Sequence, residues 1–295
     1  MYRKLWLLVT SCLLGIALLI TSTSFAAESS TNRANEKASD KIFEVAEDEL
    51  LVFETEEITD AVKLLEMGKK MENEGSRRNT VAEVKLSKNG KEVSADKVKT
   101  YVTNQKLKAK KNLINGQVST LYRQDSFALI PRSIFGSSTT DSVSISSLPD
   151  PNSDYDSTYS VMATNTIYYT KKDCYEHGVK STGFRFDKIG GEWELLDSQV
   201  SWDNSYIGYT QEGTAYDDCE EQGGYLWGKY EQVPSNGVPS SGVEYEMFPD
   251  TQGYFFHPAM KGDNQWGRQK IDLHRGTEDW TFEFINTLSD NDWPG

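Results

Sequence analysis

The sequence predicts a mainly β protein, with a carboxy-terminal antiparallel β-sandwich or jelly roll preceded by a small α+β amino-terminal region. Near the carboxy terminus Trp280, Phe282 and Phe284 alternate with polar residues, which is the period of a half-buried strand. About eight short apolar runs lie between residues 158 and 289, separated by glycine-rich turns and without helical periodicity. Regularly spaced short strands of this kind are typical of sandwiches and jelly rolls.

The amino terminus has the three-part layout of a secretory signal peptide. Arg3 and Lys4 are followed by an apolar run over residues 5–20 and a small, polar stretch that ends near Ala27. As a helix, the run would be about 24 Å long, shorter than the roughly 30 Å hydrocarbon core of a bilayer. We therefore expect a signal peptide over residues 1–26, cleaved near Ala26.

Two alternatives to cleavage remain open: an uncleaved anchor, and a lipoprotein signal modified at Cys12. Most of the apolar run lies after Cys12 and would stay on a mature lipoprotein. The expectation is a secreted, extracellular protein with no stable membrane insertion after cleavage.

Charge is unevenly distributed along a chain whose net charge is −14. Residues 76–135 carry 13 basic and 4 acidic side chains, and residues 136–295 carry 10 basic and 27 acidic ones. Nucleic-acid affinity comes mainly from neutralising phosphates, so the acidic portion argues against that partner. The basic segment could meet an anionic cell-wall polymer or the acidic remainder of the same chain.

After the signal peptide, composition and periodicity divide the chain into four further segments. Residues 27–56 are expected to be an acidic, disordered start, and residues 57–132 a small α+β region. Within that region the sequence predicts a helix from about Ile58, a hairpin turn at Asn89-Gly90 and a second, lysine-rich helix that ends near Gly116.

The remaining two segments differ from each other in composition. Thirteen of the 28 residues from 133 to 160 are serine or threonine, which predicts a linker over residues 133–157. The β-sandwich domain then occupies residues 158–295.

Cysteine usage supports an oxidising compartment. Loss of Cys12 with the signal peptide leaves Cys174 and Cys219, an even pair that is expected to form a disulfide. The competing hypothesis is a zinc site in which His177 joins the two cysteines with His257 or His274 as the fourth ligand.

A possible calcium site is formed by four oxygen-bearing residues at alternate positions. Asp150, Asn152, Asp154 and Asp156 have the spacing of a calcium loop, but Tyr155 replaces the glycine that such a loop needs. Asx-turns in a polar linker would explain the same residues without a metal.

No catalytic residues are assigned, because the sequence lacks the hydrolase elbow, the zinc-protease helix and the dinucleotide loop. Residues 223–229 have the glycine spacing of a phosphate loop, but Tyr230 replaces the magnesium-binding hydroxyl residue. We interpret that match as chance. Paired carboxylates remain conceivable among the 27 acidic residues of the last segment, although their abundance singles out none.

Six of the seven tryptophans lie in the β region. Those at 193, 202 and 280 fit core strands. Trp227, Trp266 and Trp293 stand among glycine, asparagine and charged residues, so they are the candidates for an exposed face that binds a glycan or a protein.

The carboxy-terminal pattern resembles β-rich exported proteins of Gram-positive bacteria that have no assigned activity. The matching residues are Gly190-Gly191-Glu192-Trp193, Leu273-His274-Arg275-Gly276, Trp280 and Asn286-Thr287-Leu288. They cover less than half of the chain. The resemblance implies export and a β-rich fold, and it implies no function.

These observations favour a non-enzymatic extracellular protein that binds a cell-wall polymer, a glycan or an extracellular protein. The first alternative is a secreted carbohydrate-active hydrolase with paired carboxylates. The second is a secreted toxin or antibacterial factor in which residues 76–135 act as a basic pro-region. A cofactor is not expected, with calcium as the possible exception.

Overall fold

The computed structural model describes residues 39, 42–73, 82–136, 159–176, 179–217, 219–235, 238–257 and 265–288. Thirteen strands, one α-helix and a short 3-10 helix (Arg132–Phe135) are found in these residues. The helix α1 spans Ala61–Asn73. The strands are β1 (Glu49–Glu54), β2 (Ala82–Lys88), β3 (Lys91–Val93), β4 (Lys99–Asn112), β5 (Val118–Pro131), β6 (Tyr159–Glu176), β7 (Val179–Leu195), β8 (Ser201–Asp217), β9 (Glu220–Gln232), β10 (Val243–Met247), β11 (Phe255–His257), β12 (Gln265–Arg275) and β13 (Glu278–Thr287).

All thirteen strands belong to one antiparallel sheet in the order β1-β4-β5-β6-β7-β11-β8-β12-β13-β2-β3, with β10 beside β7 and β9 beside β8. The mainly β, sandwich-like fold predicted from the sequence is confirmed. The composition change near residue 133 does not divide the sheet, because β5 pairs with β6 and β2 pairs with β13. The regions predicted at residues 57–132 and 158–295 therefore contribute strands to the same sheet.

The two ends of this sheet pack face to face. Gln124 of β5 donates a hydrogen bond of 2.6 Å to Asn286 of β13, and the Ser126 hydroxyl lies 2.6 Å from the same oxygen. A Cβ added at Gly267 of β12 would lie 2.7 Å from Asn165 Oδ1 of β6, so only glycine fits at this approach. The sheet is thus bent at β7, β11 and β8 into two layers.

The space between the layers is mostly apolar, but it contains a band of polar side chains. Its apolar part includes Ile167, Trp193, Ile207 and Phe282, all fully buried. The fully buried polar residues of this band are Gln124, Ser126, Asn165, Gln211, Gln265, Gln269 and Asn286. Buried amides cost free energy unless they are hydrogen-bonded. The Gln269 amide has no hydrogen-bond partner among the described residues, whereas Gln124 and Ser126 both bond to Asn286 across the layers and so fix how the layers align.

The predicted first helix and the predicted hairpin are both present. Asp60 caps α1 by accepting a 3.0 Å hydrogen bond from the backbone of Lys63. The helix buries Leu64 and Leu65 against the outside of β5 and β6. The turn between β2 and β3 has positive φ at both Asn89 and Gly90, as a two-residue hairpin requires.

Two predictions for the amino-terminal half were wrong. The lysine-rich stretch predicted as a second helix is the long strand β4, whose Thr103 and Gln105 face the protein while Lys106 is exposed. Within the start predicted as disordered, residues 49–54 form β1, which pairs with β4. Glu54 and Lys108 form a 3.3 Å ion pair across these two strands, so acidic and basic segments meet within the sheet.

The predicted disulfide between Cys174 and Cys219 is present and joins β6 to the turn between β8 and β9. It closes a loop with a sequence separation of 45 residues. Both thiols are used in this bond, so the alternative zinc site loses two of its ligands. Within the described ranges, no group of three or more metal-ligating side chains is assembled.

The length and hydropathy of the described helices decide whether any of them could span a membrane. No helix in the described part of the chain is long and apolar enough to cross a bilayer. The signal peptide over residues 1–26 and the linker lie outside the described residues, except for residues 133–136 of the linker.

Candidate binding surface

The tryptophans separate into core and partly exposed groups. Trp193, Trp202 and Trp280 are buried, as the sequence predicted. Trp227 and Trp266 are both half-buried. Trp293 lies outside the described residues, so its place in the candidate surface stays a prediction.

Trp227 and Trp266 lie on opposite faces of the sheet. Trp227 of β9 is the register partner of Gln211 of β8, whereas Trp266 of β12 is the register partner of Thr210. Directly opposed residues project to the same side, and consecutive residues project to opposite sides. One binding face cannot contain both side chains, because Gln211 faces the interior and Thr210 does not.

The side that carries Trp266 is the face of the sheet directed away from the interior, which we call the outer face. Its main residues come from four adjacent strands, and the burial pattern of β12 shows alternation between the interior and this face. The outer face comprises Tyr206 and Thr210 of β8, Leu226 and Tyr230 of β9, Trp266, Arg268 and Lys270 of β12, and Glu283 of β13.

At the centre of the outer face two tyrosines stack on each other. The rings of Tyr206 and Tyr230 are 5.3 Å apart with 16° between their planes. Tyr230 lies over Gly208, because a Cβ added to that glycine would be 2.6 Å from the Tyr230 ring. Because Gly208 has no side chain, the Tyr230 ring can pack on its backbone. The Arg268 guanidinium lies 4.7 Å from the centre of the same ring.

Charged side chains of β12 and β13 lie beside the two stacked tyrosines. Arg268 Nε lies 2.6 Å from Glu283 Oε1, and the Lys270 ammonium lies 5.5 Å from the Tyr206 ring centre. Burial raises the pKa of Tyr230 to about 12, against the opposing effect of the Arg268 charge. The Tyr230 hydroxyl is therefore protonated at neutral pH and can both donate and accept a hydrogen bond.

The opposite side of β9 carries a separate aromatic cluster at the margin of the sandwich, which we call the rim cluster. Its members are Tyr225, Trp227, Tyr254 and Phe256. Trp227 contacts Tyr254 and Phe256 at ring distances of 6.3 and 6.2 Å. Phe256 is fully buried and Tyr225 is 41% exposed, so this cluster runs from the buried interior to the surface.

The structure describes the candidate histidines His257 and His274, but it does not describe the calcium candidates. The calcium candidates Asp150, Asn152, Asp154 and Asp156 lie outside the described residues. His257 bonds the backbone oxygen of Thr182 at 2.8 Å. His274 lies between Asp279 and Asp203, at 2.9 and 3.2 Å. The two histidines are therefore held by different neighbours.

A pair of carboxylates lies on the outside of the other layer. Glu192 and Glu194 occupy alternate positions of β7, and Glu244 of β10 is the register partner of Glu192. Burial raises the pKa of Glu192, and repulsion from Glu194 and Glu244 adds to the effect. Burial also raises the pKa of Glu194. Carboxyl groups with raised pKa values can hold a proton closer to neutral pH.

Next to these carboxylates lies a buried charge network. Arg123 of β5 bonds both oxygens of Asp125 at 3.0 and 2.9 Å, and its Nη1 bonds Glu57 at 2.9 Å. Tyr168 donates a short hydrogen bond to Glu57. Burial opposes the charge of Arg123, but the neighbouring carboxylates outweigh it and raise the pKa of that guanidinium.

No protein-family model, curated protein or solved structure matches this chain. The candidate surface therefore depends on geometry alone. Sequence patterns did not identify Tyr206, Tyr230 and Arg268, which are brought together by strand register. The alternation of Trp266, Arg268 and Lys270 with Gly267, Gln269 and Ile271 along β12 was the available signal, weakened by the polar Gln269.

Proposed function

We propose that this chain is an exported, non-enzymatic binding protein whose outer face binds a glycan chain of the cell surface or cell wall. One observation carries the proposal: on the outer face Tyr206, which is half-buried, stacks on Tyr230, which is 40% exposed, beside Arg268, Lys270 and Glu283. Aromatic rings provide apolar surface for the faces of sugar rings, and charged groups form strong hydrogen bonds to hydroxyls. At a strand spacing of about 4.8 Å, the surface from β9 to β13 is about 14 Å wide.

The charges of the outer face favour a neutral glycan. The positive charges of Arg268 and Lys270 are each close to a carboxylate, at 2.6 Å from Glu283 and 3.9 Å from Asp272. A polyanion would have to displace these neighbours, whereas a neutral sugar could bond to both members of each pair. The ligand we expect is therefore a neutral polysaccharide.

The test compares two tyrosines on one strand. Tyr230 and Tyr225 are 40% and 41% exposed, and each is the register partner of a glycine of β8, but they project to opposite faces. Binding is measured on purified peptidoglycan, chitin and a neutral glucan. For the probe that binds, we expect Tyr230→Ala to weaken binding about tenfold, because the stacking surface is lost.

Tyr225→Ala is the matched control and should bind as the unsubstituted protein does. Trp266→Ala, on the outer face, should weaken binding while Trp227→Ala should not. Equal effects of the Tyr225 and Tyr230 substitutions, or no binding to any of the three probes, would contradict the proposal.

The second candidate is a hydrolase that uses two carboxylates. The observation that favours it is the raised pKa of both Glu192 and Glu194, on the same side of β7. One protonated and one ionised carboxyl group is the requirement for glycoside hydrolysis. If polysaccharide cleavage is detected, Glu192→Gln and Glu194→Gln should each reduce it at least a hundredfold, while Tyr230→Ala should not.

The third hypothesis, a detachable pro-region at residues 76–135, is not supported by the strand arrangement. That segment contains β2, β3, β4 and β5, and both β2 and β5 pair with strands outside it. Its removal would take four strands from the sheet. We therefore do not propose it.

A further inference from the structure

We propose that a buried water molecule binds between the two layers of the sandwich, beside Gln269 of β12, Asn165 of β6 and Trp193 of β7. All three residues are 0% exposed. Four of their polar atoms, Gln269 Oε1, Gln269 Nε2, Asn165 Oδ1 and Trp193 Nε1, have no hydrogen-bond partner among the residues that the structure describes. Buried polar side chains of folded proteins nearly always have a partner, which is either another protein group or an ordered water.

The three side chains converge around two glycines. A Cβ added to Gly191 of β7 would lie 3.0 Å from Gln269 Oε1 and 3.6 Å from Cη2 of the Trp193 ring. Asn165 is the register partner of Gly191, and its Oδ1 would lie 2.7 Å from a Cβ on Gly267. Gly267 and Gln269 are alternate residues on the interior side of β12. The unpartnered atoms of the two layers are therefore neighbours, and one water, about 2.8 Å from each partner, joins atoms up to about 5.6 Å apart.

The chemistry of the four atoms fits water rather than an ion. Gln269 Nε2 and Trp193 Nε1 only donate hydrogen bonds, and Gln269 Oε1 and Asn165 Oδ1 only accept them. A cation would meet the two N–H groups, and an anion would meet the two carbonyl oxygens. Water donates and accepts, so it can bond to atoms of both kinds, and a buried water typically makes about three such bonds.

The orientation of the side-chain amides leaves one competing arrangement. Asn165 Nδ2 donates to the backbone oxygen of Gly190 at 3.2 Å, which fixes this amide and directs its oxygen away from that bond. Rotation of the Gln269 amide would exchange its oxygen and nitrogen. If that rotation joined Gln269 directly to Asn165, Trp193 Nε1 would still lack a partner. A direct bond between the two amides is therefore the alternative that the test must exclude.

A water at this place extends the band of polar side chains between the layers. Asn286 of β13 accepts hydrogen bonds from Gln124 and Ser126 of β5, and it donates one of 3.2 Å to the backbone oxygen of Asn165. Through the water, the same series of bonds continues from Asn165 to Gln269. The site thus helps to hold β12 against β6 and β7, and it does not depend on any ligand of the outer face.

Two glutamines of β12 provide the test. Gln269 and Gln265 are both 0% exposed, but the Gln265 amide is bonded directly to protein. Its Nε2 lies 2.7 Å from the Glu212 backbone oxygen, and its Oε1 lies 3.0 Å from Gln211 Nε2. Methionine has a volume similar to that of glutamine and lacks the amide. Long-lived internal waters are counted in each variant by ¹⁷O magnetic relaxation dispersion, and stability is followed by thermal melting.

We expect Gln269→Met to remove one long-lived water and to lower the melting temperature by about 3 °C or more, because Asn165 Oδ1 and Trp193 Nε1 lose their shared partner. Gln265→Met is the matched control: it should lower the melting temperature and keep the water count of the unsubstituted protein. In a dry site, Gln269→Met would remove a buried amide that has no partner, and the melting temperature would stay the same or rise. That result, or an unchanged water count, overturns the proposal.

A high-resolution crystal structure of the unsubstituted protein gives a second test that does not depend on the folding of a variant. We expect an ordered water within about 3.2 Å of both Asn165 Oδ1 and the Gln269 amide. A direct bond between these two side chains, or the lack of an ordered water between them, overturns the proposal.

Discussion

Replacing Arg123 by methionine tests whether its buried charge network with Asp125 and Glu57 stabilises the fold. The side chains of Asp125 and Glu57, both bonded to this guanidinium, are 0% and 3% exposed. Methionine fills similar volume without charge and would leave the two carboxylates together in a dry site. Breaking a buried pair in this way costs about 4 kcal/mol. For a chain of this size, that loss lowers the melting temperature by about 10 °C.

The assay is equilibrium unfolding in urea, with the free energy of unfolding taken from the transition midpoint and slope. Lys229→Met is the control, because Lys229 and Glu231 form an ion pair with both side chains about half exposed. Such exposed pairs are worth roughly 1 kcal/mol or less. A second variant, Arg123→Met with Asp125→Asn and Glu57→Gln, removes the charges together and should recover at least half of the loss.

The reasoning would be refuted by an Arg123→Met variant that loses no more stability than the Lys229→Met control. It would also fail if the triple variant were less stable than Arg123→Met alone. In that case hydrogen bonds within the network, rather than the orphaned charges, would account for the effect.

Three other predictions concern separate parts of the molecule. Hydrogen bonding to Asp279 raises the pKa of His274 above 6.5. The protonated His274 therefore stabilises the folded protein fully below pH 6.5, and this stabilisation is lost as the pH rises through the folded-state pKa. His274→Gln should reduce the melting temperature more at pH 5.5 than at pH 8.5. Alanine at both Cys174 and Cys219 should reduce the free energy of unfolding by about 4 kcal/mol, because a loop with a separation of 45 residues is released; reduction of the native protein should reproduce the loss, and reduction of the variant should do nothing. Gly267→Ala should cost about 2 kcal/mol in urea unfolding, because its new carbon would lie 2.7 Å from a buried asparagine oxygen of β6; no measurable cost would mean that the two layers can separate locally.

Local signals in the sequence were sufficient for several elements. The turn at Asn89-Gly90 requires only the conformational preferences of two residues, and α1 follows from apolar residues at helical spacing. The alternation of Trp280, Phe282 and Phe284 with polar residues marks β13. Each of these features is encoded within about ten neighbouring residues.

The strand β4 shows how a local signal can mislead. Its lysines have high helix propensity, and Val98, Tyr101 and Val102 have helical spacing. The alternation of buried Thr103 and Gln105 with more exposed neighbours was also present, but polar residues do not indicate an interior face. Pairing with β1 and β5, which are distant in sequence, outweighs the helical tendency.

The candidate surface could not be predicted because it depends on register between strands. Trp227 and Trp266 are both set among small and charged residues, yet a difference of one position in pairing with β8 puts them on opposite faces. Tyr206 and Tyr230 are 24 positions apart in the sequence and stack only because β8 and β9 form a hairpin. Composition could suggest exposed aromatics but not which of them meet.

The pairing of β2 with β13 has a consequence for folding kinetics. The hydrogen bond from Asp279 N to Asn89 Oδ1 joins residues 190 positions apart, and β13 lies between β12 and β2 in the sheet. A growing chain therefore cannot close its second layer until β13 is available. Such long-range pairing slows folding, and the incomplete sheet would keep its open edges meanwhile. Closure of the second layer should therefore follow the synthesis of β13 rather than accompany that of the earlier strands.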